Sequence, residues 1–321
     1  MFIVRRGALV LIAFALALAA GPSHGGAWPQ RAVRIILPLP AGGGTDLAAR
    51  LFAERLSERW RQPVVVENRP GPDGIVGVTG FVNSRDEHTL LFANAGPISI
   101  NPLIHQNLPY DPARDLVPIA SAIDNFFAIA VSSSLGVDSI GAFVALARKE
   151  PRGLNWTATA GLPQYIFEAL QKNQGLEMTY VPYRDFAQAL QDFGEGRVHA
   201  VATGVPILLP QVQLGKAKLL MVTNRERSAL AEDVPTAKEA GHPELLFEGV
   251  VGFYGWRDIP ADLRERIAAD VRAVASDSAM TARLRGIGVA VRAGTPAEFA
   301  ADIEAQRARI TAIVRPAKPA N

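Results

Sequence analysis

The chain has 321 residues, with 33 lysines and arginines against 31 aspartates and glutamates, a formal charge of +2. Charge this close to balance, with basic residues interspersed among acids as in LAEDVPTAKEAG and LRERIAADVRA, excludes a nucleic-acid-binding surface. There is no cysteine, which excludes disulfides and thiolate metal ligands, and a length of about 300 residues beyond any leader suggests two domains.

Arg5 and Arg6 precede an uncharged apolar run from Ala8 to Ala20, and the breaker-rich GPSHGG follows. That is the pattern of a secretory signal peptide, and about a dozen apolar residues fall short of the roughly 20 that a membrane span requires. Cleavage is placed after Ala19, with Ala27 as the alternative, giving a leader of residues 1–19. An uncleaved anchor is the competing reading, disfavoured because Gly21 and Pro22 follow at once. Removing Arg5 and Arg6 leaves 31 basic and 31 acidic residues (33 minus 2 against 31). Export to a Gram-negative periplasm fits.

Short β-branched or apolar runs then alternate with helical periods, which argues for parallel sheets with crossover helices. Val33 to Leu37 is the first strand, Thr45 to Arg61 a helix with apolar residues at Leu47, Leu51, Phe52, Leu56 and Trp60, and Val64 to Glu67 a second strand. A helix at Ile75 to Asn83 and a strand at Thr89 to Ala93 follow. Strands are expected at Leu116 to Ala122 and Phe127 to Val131, then a helix at Ile140 to Lys149 and a strand at Leu154 to Thr157. Helices at Gln164 to Asn173 and Phe186 to Gly194 flank a strand at Met178 to Val181, and Val198 to Thr203 and Lys218 to Val222 complete a second sheet. After a strand at Phe247 to Trp256 the chain turns helical at Ala261 to Ala275, Ala279 to Gly286 and Pro296 to Val314. The economical arrangement puts residues 28–122 and 250–315 in a discontinuous first domain and 123–249 in a second, with crossing strands near 117–131 and 247–256 as the hinge. The tail 316–321 has no core-forming residue and should fray.

Pro40 to Asp46, reading PAGGGTD, stands between a strand end and a helix start, where α/β sheets bind ligands. Glycines permit close approach of backbone to a ligand, and the amides of a helix N-terminus favour an anion. A phosphate-binding loop would need Gly-Lys-Ser/Thr where Gly44 is followed by Thr45 and Asp46, and the dinucleotide fingerprint fails at Leu47. Asp46 reads as a helix cap or first-turn residue, with Thr45 sharing the capping role. The local alternative is that these glycines serve only a tight turn. Neither a G-x-S-x-G elbow nor an H-E-x-x-H pair occurs, and no two of His88, His105, His199 and His242 are spaced like metal ligands. An enzyme is therefore not expected, and no cofactor or metal is implied.

PAGGGTD followed by LAARLFAERLSERWRQPVVVENRPG, together with INPLIHQNLPYDPARDLVPI, VPYRDFAQALQDFGEGRV and LAEDVPTAKEAG, resembles the substrate-binding receptors of tripartite tricarboxylate transporters, the TctC-like group expanded as the Bug proteins in Bordetella. The resemblance runs from about Trp28 to Val314. It implies an α/β periplasmic-binding-protein (Venus flytrap) fold, two α/β domains joined by two crossing strands, and a monomer closing over a small carboxylate. It further implies delivery to membrane permease subunits; a sensor-only receptor feeding a two-component kinase and a secreted carboxylate-acting enzyme are the alternatives. Carried over by position, the ligand contacts would be Ala41, Gly42, Gly43, Thr45 and Asp46, with Asn94, Ala95 and Gly96, in the first domain. In the second they would be Thr159, Ala160, Gly161, Tyr165, Tyr183 and Thr203. Three departures bear on the ligand. TATAGLPQY puts Leu162 and Tyr165 at the family's Thr and His places. VHAVATG puts His199 and Thr203 where the family has acids that could receive an ammonium group, which disfavours an α-amino acid. The usual PGAGG turn reads PGPDG at Pro70 to Gly74.

Overall fold

Eleven strands and twelve α-helices follow one another along residues 28–314, the part of the chain that the computed structural model describes. The leader and both cleavage points, like the tail, lie outside the described residues. β1 (Val33–Leu37), α1 (Gly44–Trp60), β2 (Val64–Asn68), α2 (Ile75–Ser84) and β3 (Thr89–Asn94) come first, and then three one-turn helices, α3 (Gly96–Ser99), α4 (Asn101–Ile104) and α5 (Pro112–Asp115). β4 (Val117–Asn125) and β5 (Phe127–Ser132) are separated by Phe126 alone. Next come α6 (Ile140–Lys149), β6 (Asn155–Ala158), α7 (Leu162–Gln174), β7 (Thr179–Tyr180), α8 (Phe186–Gly194), β8 (Ala200–Gly204), α9 (Val205–Gln213) and β9 (Ala217–Val222). A long loop leads to β10 (Gly249–Gly255), α10 (Ala261–Ala275), α11 (Ser278–Gly286), β11 (Val289–Val291) and α12 (Pro296–Val314).

The strands form two sheets, ordered β11-β4-β10-β3-β1-β2 and β7-β6-β8-β5-β9. Both are mixed rather than parallel throughout. β1 runs parallel to β2 and β3, as crossover helices dictate, but β10 is antiparallel to β3 and β4. β6 is parallel to β7 and β8, whereas β5 is antiparallel to β8 and β9. The reason is that β4 continues into β5 with no helix between them, so no crossover resets the strand direction on entering the second sheet. From Arg31 onward the two sheets belong to one contact unit.

β1 and β3 are buried along nearly their whole length, so they read as continuous apolar runs, the mark of strands covered on both faces. Phe253 of β10 packs its ring 5.6 Å from that of Phe52 and 4.7 Å from that of Phe92. Gly252 beside it is obligatory, since a Cβ there would stand 2.4 Å from the carbonyl oxygen of Ala120 and 2.6 Å from the Phe299 ring. The second core is built on Trp156, stacked on Phe167 at 4.3 Å. α6 buries Ile140, Phe143, Val144 and Ala147, one helical stripe, and Ser139 caps it by accepting from the amide of Ala142. α12 opens with a capping box: Glu298 accepts from the Thr295 amide at 2.7 Å while the Glu298 amide donates to the Thr295 hydroxyl at 3.2 Å. Phe299 and Ile303 of this helix enter the core of the first sheet and Ile310 that of the second. α9 has no counterpart among the elements expected from the sequence, and VPILLPQVQ carries two prolines. Pro206 falls in the first turn, where its missing N–H costs nothing, and the helix runs on through Pro210.

Where the chain passes between the sheets, Arg292 gathers three acids. It lies 2.7 Å from Asp124 at the end of β4, 3.2 Å from Glu248 just before β10 and 2.8 Å from Asp302 of α12.

Candidate ligand-binding cleft

The C-terminal ends of β1, β2, β3 and β6 open onto a cleft of about 400 Å3 between the two sheets, the place where α/β sheets receive ligands. The first sheet contributes Pro38, Leu39 and Pro40 after β1, Pro70, Gly71, Asp73 and Gly74 after β2, and Asn94, Gly96 and Pro97 after β3. Thr159, Ala160, Gly161, Leu162 and Pro163 face them from the second sheet. Asn125, Phe127, Gly249 and Val250, where the chain crosses, close the back, and Gln306 reaches in from α12. Among the described residues no lysine or arginine lines this cleft, and Asp73 is its one ionisable side chain.

Polarity on the second-sheet wall comes from main chain. Gly161 caps α7 with φ 87° and ψ −139°, a conformation open to glycine alone, and no side chain caps this helix. The Thr159 amide is taken by the carbonyl of Ala202 and that of Gln164 by the carbonyl of Gly161, while Pro163 has none. The amides of Ala160, Gly161 and Leu162 carry no hydrogen bond inside the described chain, and they sit at the positive end of a thirteen-residue helix. Thr159 and Thr203 pair their hydroxyls at 3.1 Å; Thr203 is fully buried and stays behind the wall.

The glycine loop is organised differently from expectation. α1 starts at Gly44 with Gly43 as its cap residue, in ordinary extended backbone and with no capping side chain. Asp46, in the first turn and 3% exposed, reaches back to accept from the Gly42 amide at 2.9 Å; Arg50 Nε donates to the same oxygen at 3.1 Å and Asn68 Nδ2 to the other at 2.9 Å. Burial pushes this carboxyl up, but the Gly42, Arg50 and Asn68 bonds outweigh it and hold Asp46 below the usual carboxylate range. Its oxygens are therefore spent on shaping the loop. Thr45 is not a cap: its hydroxyl accepts from Asn125 Nδ2 at 3.2 Å, tying α1 to the crossing strand β4. Ala41, Gly42 and Gly43 are exposed, and of this segment only Pro38 to Pro40 line the cleft.

The other candidates divide. Asn94 lines the cleft, but its side chain accepts from the Gly96 amide at 3.0 Å and so occupies the donor that Gly96 would offer. Ala95 is buried, its amide on the carbonyl of Val250. Tyr165 packs against the second core, and burial, with Glu168 and Asp73 nearby, pushes its phenol up. Tyr183 stands away from the cleft lining: it donates to Asp192 at 2.7 Å, and burial together with that bond pushes it to about 12. Asp73, Asn125, Phe127 and Gln306 line the cleft without having been singled out. The PGPDG departure was the only signal for Asp73, and for Gln306, nearly the whole chain away from Pro38, there was none. Among the described residues no cluster of His, Asp and Glu is arranged to hold a metal ion, and no helix is long and apolar enough to cross a membrane.

The profile of the tripartite tricarboxylate transporter family receptors, TctC, matches residues 48–318. The chain belongs to this family. Protein BugT of Bordetella pertussis is 30% identical over 243 residues, 74% of each chain. Among solved structures, this TctC-family receptor is similar to R. palustris Rpa4515 with adipate at 30% identity and a TM-score of 0.78, over 89% of this chain and 98% of that one. It is also similar to MatC from Rhodopseudomonas palustris with bound malate, at 25% identity and a TM-score of 0.74, over 90% and 100% of the two chains. The family is one of substrate-binding receptors, not enzymes, and the α/β fold of two sheets is that of periplasmic binding proteins.

Proposed function

We propose that this receptor captures a small carboxylate in the cleft by drawing the two sheets together, and delivers it to the membrane subunits of a tripartite tricarboxylate transporter. The observation that carries the reading is the run of unoccupied amides at Ala160, Gly161 and Leu162, facing a cleft that has no lysine or arginine among the described residues lining it. A carboxylate there would gain charge-assisted hydrogen bonds and the favourable end of the α7 dipole. Across the cleft, the uncapped first turn of α1 at Gly43 to Thr45 offers a second set of donors once the sheets approach. The moving bodies would be residues 28–122 with 250–315 and residues 123–249, hinged where β4 passes through Phe126 into β5 and where the return segment enters β10 at Gly249. A ligand touching both bodies binds the closed form better and shifts the population towards it. The basic-apolar leader fits export to the periplasm, with the receptor acting as a monomer. Adipate and malate, carried by the two solved relatives, head the trial set.

The reading is tested by thermal unfolding of the mature protein with mono-, di- and tricarboxylates, aromatic acids and amino acids. A bound acid at 100 times its Kd should add about 2.7 kcal/mol and raise the Tm. Failure of every acid in a broad panel to move the Tm would sink the assignment.

A further inference from the structure

Asp73 is, among the described residues, the one ionisable side chain on the cleft wall, and the fold holds it there at a conformational cost. Its backbone lies in the left-handed region, φ 49° and ψ 21°, which aspartate tolerates better than most residues. Asn101, 3% exposed, donates to the Asp73 carbonyl at 3.0 Å and also to the Tyr110 hydroxyl, which donates onward to the carbonyl of Pro97. The turn is thus pinned to the loop after β3 by a buried relay. The carboxylate is held as well: His105 Nε2 lies 2.8 Å from Oδ2, while Oδ1 has no hydrogen-bond partner among the described residues and 29% of the side chain is open. Its field reaches across to α7, where it contributes, after burial and Glu168, to raising the Tyr165 phenol.

Resting on the receptor reading above, we infer that Asp73 sets the ligand class: it selects acids that carry a protonated amine separated from the carboxylate, and rejects acids with a second carboxylate at that end. The two ends of the cleft are chemically opposite. Main-chain amides at Ala160 to Leu162 accept one negative group, and the free oxygen of Asp73 accepts one donor. Among the described residues no lysine or arginine lines the wall, and the His105 imidazole is already taken up by Oδ2, so a second carboxylate would meet the like charge of Asp73 with no free cation to receive it. An ammonium would complete the acceptor set of Asp73 with a charge-assisted hydrogen bond. An α-amino group, adjacent to the carboxylate, would lie with the amides instead of with Asp73.

Calorimetric titration of the full mature chain with matched pairs tests this: terminal amino acids and dicarboxylates of equal length from three to six carbons, and p-aminomethylbenzoate against terephthalate. The best-fitting amino acid should bind at least about tenfold more tightly than its matched diacid. Asp73→Asn, which keeps the left-handed backbone, and Asp73→Gly, which is freer still, should each erase that ratio while leaving the protein folded. A diacid preference in the native protein, or a ratio unchanged in both variants, overturns the inference and leaves the receptor reading standing. Binding of no acid at all overturns both.

Discussion

Gly161 shows most plainly how one residue type serves the cleft. A Cβ at this position would meet nothing within 4 Å, so the glycine is not there for space; φ 87° is the constraint. Gly161→Ala is therefore expected to cost about 1 to 3 kcal/mol of stability through backbone strain alone, read from urea unfolding, and to weaken carboxylate binding by reorienting the Gly161 and Leu162 amides. An unchanged midpoint with unchanged affinity would mean that the turn relaxes and is no anchor. Gly43 is the contrast, in extended backbone that any residue adopts and with open space around it. The glycine-rich loop and its place before a helix were legible in PAGGGTD, because punctuation by glycine is local. That Asp46 would bond back to Gly42 and across to Asn68 was not, since the second partner comes from a different strand.

Elements with strong local signals were delimited from sequence alone. Helices 140–149, 186–194, 261–275 and 296–314 have the bounds expected from the sequence, and the structure adds the caps of three of them, Ser139, Asp185 and Thr295. α9 and β11 were missed because neither has a stripe: one is interrupted by proline and the other is three residues long. The crossing strands carry a tertiary feature invisible at this level, the three acids on Arg292. Burial, with Glu248 and Asp302 alongside, pushes the Asp124 carboxyl up to about 6 although Arg292 opposes it. Since the folded value lies above the ordinary 3.8, the associated stability is fully present below about pH 4 and is lost as pH rises through about 6. Against Asp124→Asn, the native protein should lose up to about 3 kcal/mol between those limits in urea unfolding. A difference between the two that does not vary over pH 4 to 7 would show that Asp124 does not titrate in this window.

At the scale of the molecule, the split of the chain between two sheets followed from element order, and the family resemblance from motifs spread over most of the chain. What escaped is what only long-range pairing creates. β10 inserts between β3 and β4, β5 arrives antiparallel to its neighbours, and α12 sends Phe299 into one core and Ile310 into the other while Gln306 joins the cleft wall. The same holds for Asp73, legible only as part of the altered PGPDG turn until the fold sets it in one cleft with the α7 terminus. The account stands on main-chain amides receiving a carboxylate between the sheets, and amide NMR of the 15N-labelled mature chain addresses that directly. On saturation with the acid giving the largest rise in Tm, the amide resonances of Ala160, Gly161 and Leu162 should move downfield while those lining the distant groove at Asn83 and Trp256 stay in place. Saturable binding that leaves all three amides unmoved would contradict it.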